Sequence, residues 1–162
     1  MESNPFSALT LIGAPALLTN ACAVLLLSTA NRFGRTVDRA RMLSGEIAAQ
    51  EEAGRKPSAS RMRQLAVVER RMLLIARALA AFYLAFGSFA AGTLASLVGA
   101  ISAPSGGNGL SDLILGATLA ADGLGFVGLV FGAATLVWET RLAFVTLREE
   151  ADQIRARCEL LP

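Results

Sequence analysis

Three long stretches of the chain are almost free of charge. Residues 9–30 carry none, 72–101 carry Arg77 alone, and 113–138 carry Asp122 alone. Each exceeds the roughly 20 residues that a helix needs to cross about 30 Å of hydrocarbon. Helices are the expected form, because backbone polar groups in lipid must bond within their own segment. The pattern predicts an all-α integral membrane protein, a single membrane domain over 1–162 with three spans at about 9–30, 78–101 and 113–138.

The helical pattern does not stop at the ends of the spans. Val37, Ala40, Ser44 and Ile47 fall near one stripe after the first span. Gly54-Arg55-Lys56-Pro57 breaks it, and Ser58 or Ser60 is placed to cap the next helix. Leu65, Val68, Met72 and Ile75 then lead into the second span, so one helix is expected over about 60–100. Ser111-Asp112 is the expected start of the third helix. Its pattern runs on through Phe144, Leu147, Ala151, Ile154 and Cys158. A helical hairpin over 31–77 and a C-terminal helix over 139–158 are therefore expected to pack as a short cytoplasmic bundle. The alternative is amphipathic tails lying on the lipid surface. No long internal repeat is evident.

Composition narrows the class. Hydrophobic residues make up 54% and charged residues 17%, against roughly 25% charged in soluble domains. Disordered, acidic and collagen-like chains are excluded. Histidine is absent, which removes imidazole general bases, zinc ligands and haem ligands. No cofactor, metal or catalytic residue is expected. Gly106-Gly107-Asn108-Gly109 lacks the Lys-Ser/Thr of a phosphate loop. Cys22 falls inside the first span and Cys158 outside the membrane, so no disulfide joins them.

Charge sets the orientation. Residues 31–71 hold ten Lys and Arg against five acids, whereas 1–8 and 102–112 hold no Lys or Arg. The positive-inside rule then places the N-terminus outside and the C-terminus inside, in a bacterial inner membrane. The first span is not expected to be a cleaved signal, because Glu2 is the only charge before it and the arginines follow it. Trp138 stands at the inner end of the third span, as interfacial aromatics do. The same rule accounts for the basic residues without nucleic acid as a partner.

The polar residues at membrane depth are the candidate chemistry. Asn20 lies about 16 Å and Asp122 about 14 Å into their spans. They are read either as a proton or cation site near the midplane, or as a structural hydrogen bond joining the first and third helices. Arg77, near the inner end of the second span, is expected to reach toward the headgroups. Small residues recur every four positions at Gly87, Ala91, Ala95 and Gly99, with Ser88, Gly92, Ser96 and Ala100 beside them. Gly125, Gly128 and Gly132 do the same service on the third span. Such rows favour close helix packing and a homo-oligomer.

Arg32, Arg35 and Arg39 are spaced by three and four and share a helix face, with Arg41 nearby. This juxtamembrane patch suits anionic lipid headgroups, at about 1 kcal/mol per basic residue near the surface.

Asn31-Arg32-Phe33-Gly34-Arg35 and Val37-Asp38-Arg39-Ala40-Arg41 follow Gly13-Ala14-Pro15-Ala16-Leu17-Leu18. In these segments the chain resembles a widespread bacterial membrane family catalogued only as a domain of unknown function. Arg70-Arg71 and Trp138-Glu139-Thr140-Arg141 fit the same pattern, and the resemblance covers roughly residues 9–150. It implies about three spans and supplies no activity.

Two functions remain open on these residues. One is a non-enzymatic, oligomer-forming membrane protein with a structural or interaction role, engaging a membrane or cytoplasmic protein partner. The other is a small homo-oligomeric ion channel or pore with its polar site at the midplane.

Overall fold

The computed structural model describes residues 5–102 and 108–159. They form three helices: α1 (Pro5–Glu52), α2 (Ala59–Ser102) and α3 (Asn108–Glu159). Their 48, 44 and 52 residues make rods of about 72, 66 and 78 Å. Within them, Ala16–Glu52, Ala59–Gly99 and Asp112–Phe144 are each long and apolar enough to cross a membrane. Leu94, Val127 and Phe131 are more than half exposed. In water such faces would aggregate, whereas in lipid they are the ordinary outer surface. The protein is all-α with three candidate spans.

The helix starts and stops follow local chemistry. At the end of α1, the Gly54 N–H donates to the Glu51 carbonyl and the Arg55 N–H to the Gln50 carbonyl, both at 2.9 Å. This is a Schellman cap, and it needs a left-handed residue after the last turn. Gly54 supplies it with φ of 68°. Ser58, not Ser60, caps α2: its carbonyl accepts from the Arg61 and Met62 amides, and its Oγ lies 3.4 Å from the Arg61 N. An exposed Glu46–Arg61 ion pair ties the two sides of this turn. Replacing Gly54 with Ala is expected to cost about 1 kcal/mol, because a Cβ strains the left-handed conformation. Thermal unfolding in detergent micelles, followed by circular dichroism, measures that loss.

α3 begins at Asn108, so the expected start at Ser111-Asp112 falls inside its first turn. Pro15 lies well inside α1 and not at its start. The loop residues 103–107 lie outside the described residues, as do Glu2 and the side chains of Leu147, Ala151, Ile154 and Cys158.

The buried positions show an order that hydropathy does not. On α2 a buried series steps by three and four through Ile75, Ala78, Phe82, Ala85, Phe89, Gly92 and Ser96, with Ala81 and Ser88 buried beside it. On α3, Thr118, Gly125, Gly132 and Glu139 form a buried seven-residue series, with Gly128 buried between two of its members. On α1, Cys22, Thr29 and Leu43 belong to one seven-residue series. A 3.5-residue spacing is that of helices meeting at shallow, coiled-coil-like angles.

The chain divides into two compact units, Met1–Ala30 with Leu79–Gly132 and Asn31–Ala78 with Ala133–Pro162. In the first, α2 and α3 run antiparallel in tight register. A Cβ on Gly132 would stand 2.6 Å from the Phe82 ring, one on Gly125 2.9 Å from the Phe89 ring, and one on Gly128 3.1 Å from the Ala81 carbonyl oxygen. The two rings are fully buried and occupy the space that these glycines leave open. α1 joins by laying Leu18 and Cys22 on Ala85, Phe89 and Leu129. In the second unit, Leu43, Ile47, Ile75 and Ala78 are the buried hydrophobic residues, and a carboxylate from α3 meets arginines of α1 and α2.

Candidate functional site

In the first unit, the antiparallel register sets Asp122 of α3 against Gly92 of α2. A methyl group on Gly92 would collide with Asp122 Oδ1. The missing side chain makes a gap, and the carboxylate occupies it. Oδ1 is buried there without a hydrogen-bond partner, and so is the hydroxyl of Ser96, one turn along α2. Thr118, level with Ser96 in the register, turns its hydroxyl back to the Ile114 carbonyl at 2.9 Å. It therefore donates to neither orphan. Two unsatisfied polar atoms at this depth are costly, and a proton, a water or an ion would relieve them.

Of the two readings of Asn20 and Asp122, the hydrogen bond between the first and third helices is not formed. Asn20 is exposed, and Asp122 Oδ1 has no partner. The reason is angular: Leu18 and Cys22, four apart, turn toward the core. Asn20, midway between them, is about 200° around the helix from each.

The small-residue rows divide in the same way. Ser88, Gly92 and Ser96 are buried on α2, whereas Gly87 and Ala91 are exposed. Nothing lies within 4 Å of a Cβ built on Gly87. Ala95 is half-buried, and Gly99 meets Ile114 Cγ2 at 3.0 Å from its built Cβ. Rows one residue apart differ by about 100°, so only one of them faces α3. Gly125, Gly128 and Gly132 pack within the chain. Arg77 is exposed between the buried Ile75 and Ala78, and among the described residues it pairs with no acid. Trp138 is exposed as well.

The second unit gathers most of the basic motif around one acid. Glu139 is 1% exposed. Its Oε1 accepts from Arg71 Nε at 2.8 Å, with Arg71 Nη2 at the same distance. Its Oε2 accepts from Arg32 Nη1 at 3.2 Å. The same Arg32 nitrogen lies 3.3 Å from Thr140 Oγ1. Beside this trio is a cavity of about 390 Å³, lined by Arg32, Arg35, Arg39 and Arg71, together with Glu139 and Thr140. Thr36, Val68 and Ala143 complete the lining.

Arg32, Arg35 and Arg39 thus share one face, as their spacing predicts. Arg41 does not line the cavity and is exposed. Nine residues beyond Arg32, it is about 180° around the helix. Arg71 and Glu139 were not among the expected site residues. A usable signal was present: Glu139 continues the seven-residue series of Thr118, Gly125 and Gly132, and an acid at such a position demands a cationic partner. Among the described residues, no three His, Cys, Asp or Glu side chains gather as a metal would require.

No curated protein and no solved structure matches the chain. A family model described as "Protein of unknown function (DUF2721)" matches residues 12–149, a range that takes in α1 from its second turn, the whole of α2 and most of α3. It agrees with the resemblance carried by the Arg32–Arg41 segment, and the chain belongs to that family.

Proposed function

We propose that several copies of the chain assemble in a bacterial inner membrane, N-terminus outside, into a non-enzymatic ion-conducting assembly with Asp122 at the polar point of its path. The observation that carries this is the pair of orphaned atoms, Asp122 Oδ1 and Ser96 Oγ, in the gap at Gly92. A carboxylate kept only for structure would be expected to spend its oxygens on hydrogen bonds. This one faces a neighbouring helix with its buried Oδ1 unused, and Asn20 is elsewhere.

The exposed Gly87–Ala91 row supports assembly, since it lets a second copy approach closely. Several copies are needed because three helices enclose too little space for a path of their own. The competing reading is a structural or interaction protein held together by the same glycine contacts.

Reconstitution in liposomes separates the two. The wild-type protein is expected to pass protons or monovalent cations above the rate of empty vesicles. Asp122→Asn is expected to lower that flux by about tenfold while leaving the amount of inserted protein unchanged. Absence of flux, or flux equal in the two proteins, leaves the structural reading in its place. Cross-linking through Gly87→Cys reports assembly independently, and a protein that remains monomeric in bilayers contradicts it.

A further inference from the structure

We propose that the arginine-lined cavity of the second unit is a binding site for a phosphate group. The inference does not depend on whether ions pass Asp122, because it concerns a different unit and a ligand of opposite charge.

The first argument is charge. Four guanidinium groups, those of Arg32, Arg35, Arg39 and Arg71, line the cavity with one carboxylate, Glu139. Glu139 is committed to Arg32 and Arg71. Among the described residues, Arg35 and Arg39 pair with no acid. A surplus of positive charge in one concavity attracts an anion.

The second argument is preorganisation. A long arginine side chain loses considerable rotamer freedom when it grips a ligand. Here Glu139 already holds two of the four. Arg71 is fixed through Nε and Nη2, and Arg32 through one Nη1. Each guanidinium carries five N–H donors in a planar fork, so most donors on both remain unspent. The buried acid aligns the arginines and neutralises one charge of four.

The third argument selects the ligand. Forked guanidinium donors match phosphate and carboxylate oxygens. The threonine hydroxyls add no donors: Thr36 Oγ1 donates to the Arg32 carbonyl and Thr140 Oγ1 to the Leu136 carbonyl, both at 2.9 Å. Recognition therefore rests on guanidinium groups alone, from two helices at once. A tetrahedral anion with three or four oxygens offers acceptors in more directions than a planar carboxylate, and so engages more of the four guanidinium groups at once. The volume of about 390 Å³ lies within the roughly 300–1,000 Å³ of small-molecule sites. It admits a phosphate together with the small group that bears it.

Phosphate can reach this cavity as the headgroup of an anionic lipid or on a soluble compound. Arg32 stands two residues after the first apolar stretch and Arg71 one residue before the second, so either source is within reach.

The test uses the full chain in phosphatidylcholine nanodiscs. In one arm inorganic phosphate is titrated and its binding followed by calorimetry. In the other, phosphatidylglycerol is included and its retention followed by native mass spectrometry. The expected result is saturable binding in at least one arm, and the arm that responds identifies the source. Arg35→Gln with Arg39→Gln removes two exposed arginines that hold no ion pair among the described residues, so folding is spared. This double variant is expected to weaken binding by about tenfold or more. Arg41→Gln with Arg63→Gln removes the same charge away from the cavity and is expected to change it by about twofold or less. No saturable binding in either arm, or equal weakening by both double variants, overturns the proposal.

Discussion

Arg71→Ala is expected to destabilise the protein by about 3 kcal/mol, the low end of what breaking a buried ion pair costs. The physical reason is asymmetry of burial. Glu139 is 1% exposed, while the side chains of Arg71 and Arg32 are 32% and 43% exposed. Removing Arg71 leaves a carboxylate that is 1% exposed with a single guanidinium at 3.2 Å. Removing the acid instead leaves two arginines that solvent already reaches. Glu139→Gln is therefore expected to cost less, about 1–2 kcal/mol. Arg71→Lys is expected to behave nearly as badly as the alanine variant, because an ammonium cannot supply the paired Nε and Nη2 contacts. Denaturant titration in mixed micelles, followed by circular dichroism, gives the order. A Glu139→Gln protein less stable than Arg71→Ala would show that burial of the carboxylate is not the controlling cost.

Phe82→Ala is expected to lower stability by roughly 2–3 kcal/mol, somewhat below the cost of a phenylalanine cavity in a soluble core. In lipid the ring is not driven inward by water, so only its packing contacts are lost. Phe82 is fully buried, and its ring atoms lie 2.6–3.0 Å from where a Cβ on Gly132 would stand. Gly132→Leu is accordingly expected to cost about 1–3 kcal/mol by overpacking. The two changes together should cost less than their sum by about 1 kcal/mol or more, since the leucine enters the space vacated by the ring. Strict additivity in a double-mutant cycle would mean that ring and glycine do not share that space.

The sequence reading and the structure agree most closely where the cause is local. The break at Gly54, the cap at Ser58 and the continuation of each span into a longer helix follow from residues within a turn or two of one another. The Arg32, Arg35 and Arg39 face follows from helical spacing alone. Agreement fails where a position needs its partner helix. Asn20 and Asp122 are at similar depth, yet depth says nothing of azimuth, and Asn20 points away from the core. Gly87 and Ser88 are adjacent residues in two equally persuasive rows, and only Ser88 is buried. Arg71 and Glu139 stand in segments that fit the family resemblance, Arg70-Arg71 and Trp138-Glu139-Thr140-Arg141, but nothing local to either segment says that they pair.

Membrane entry is written in the amino-acid order itself: stretches of uncharged residues longer than a bilayer is thick have few other stable forms. The inward face of each helix is not written there by hydropathy, because hydrocarbon tails are as apolar as leucine and no transfer energy separates the two environments. Small and polar side chains mark the seams instead, and their meaning depends on what stands opposite. Gly92 becomes a socket because Asp122 fills it. Glu139 becomes the centre of a cationic cavity because packing brings it to Arg71 and Arg32, 68 and 107 residues away along the chain. Those encounters are set by the register of three helices, a property that no single helix possesses.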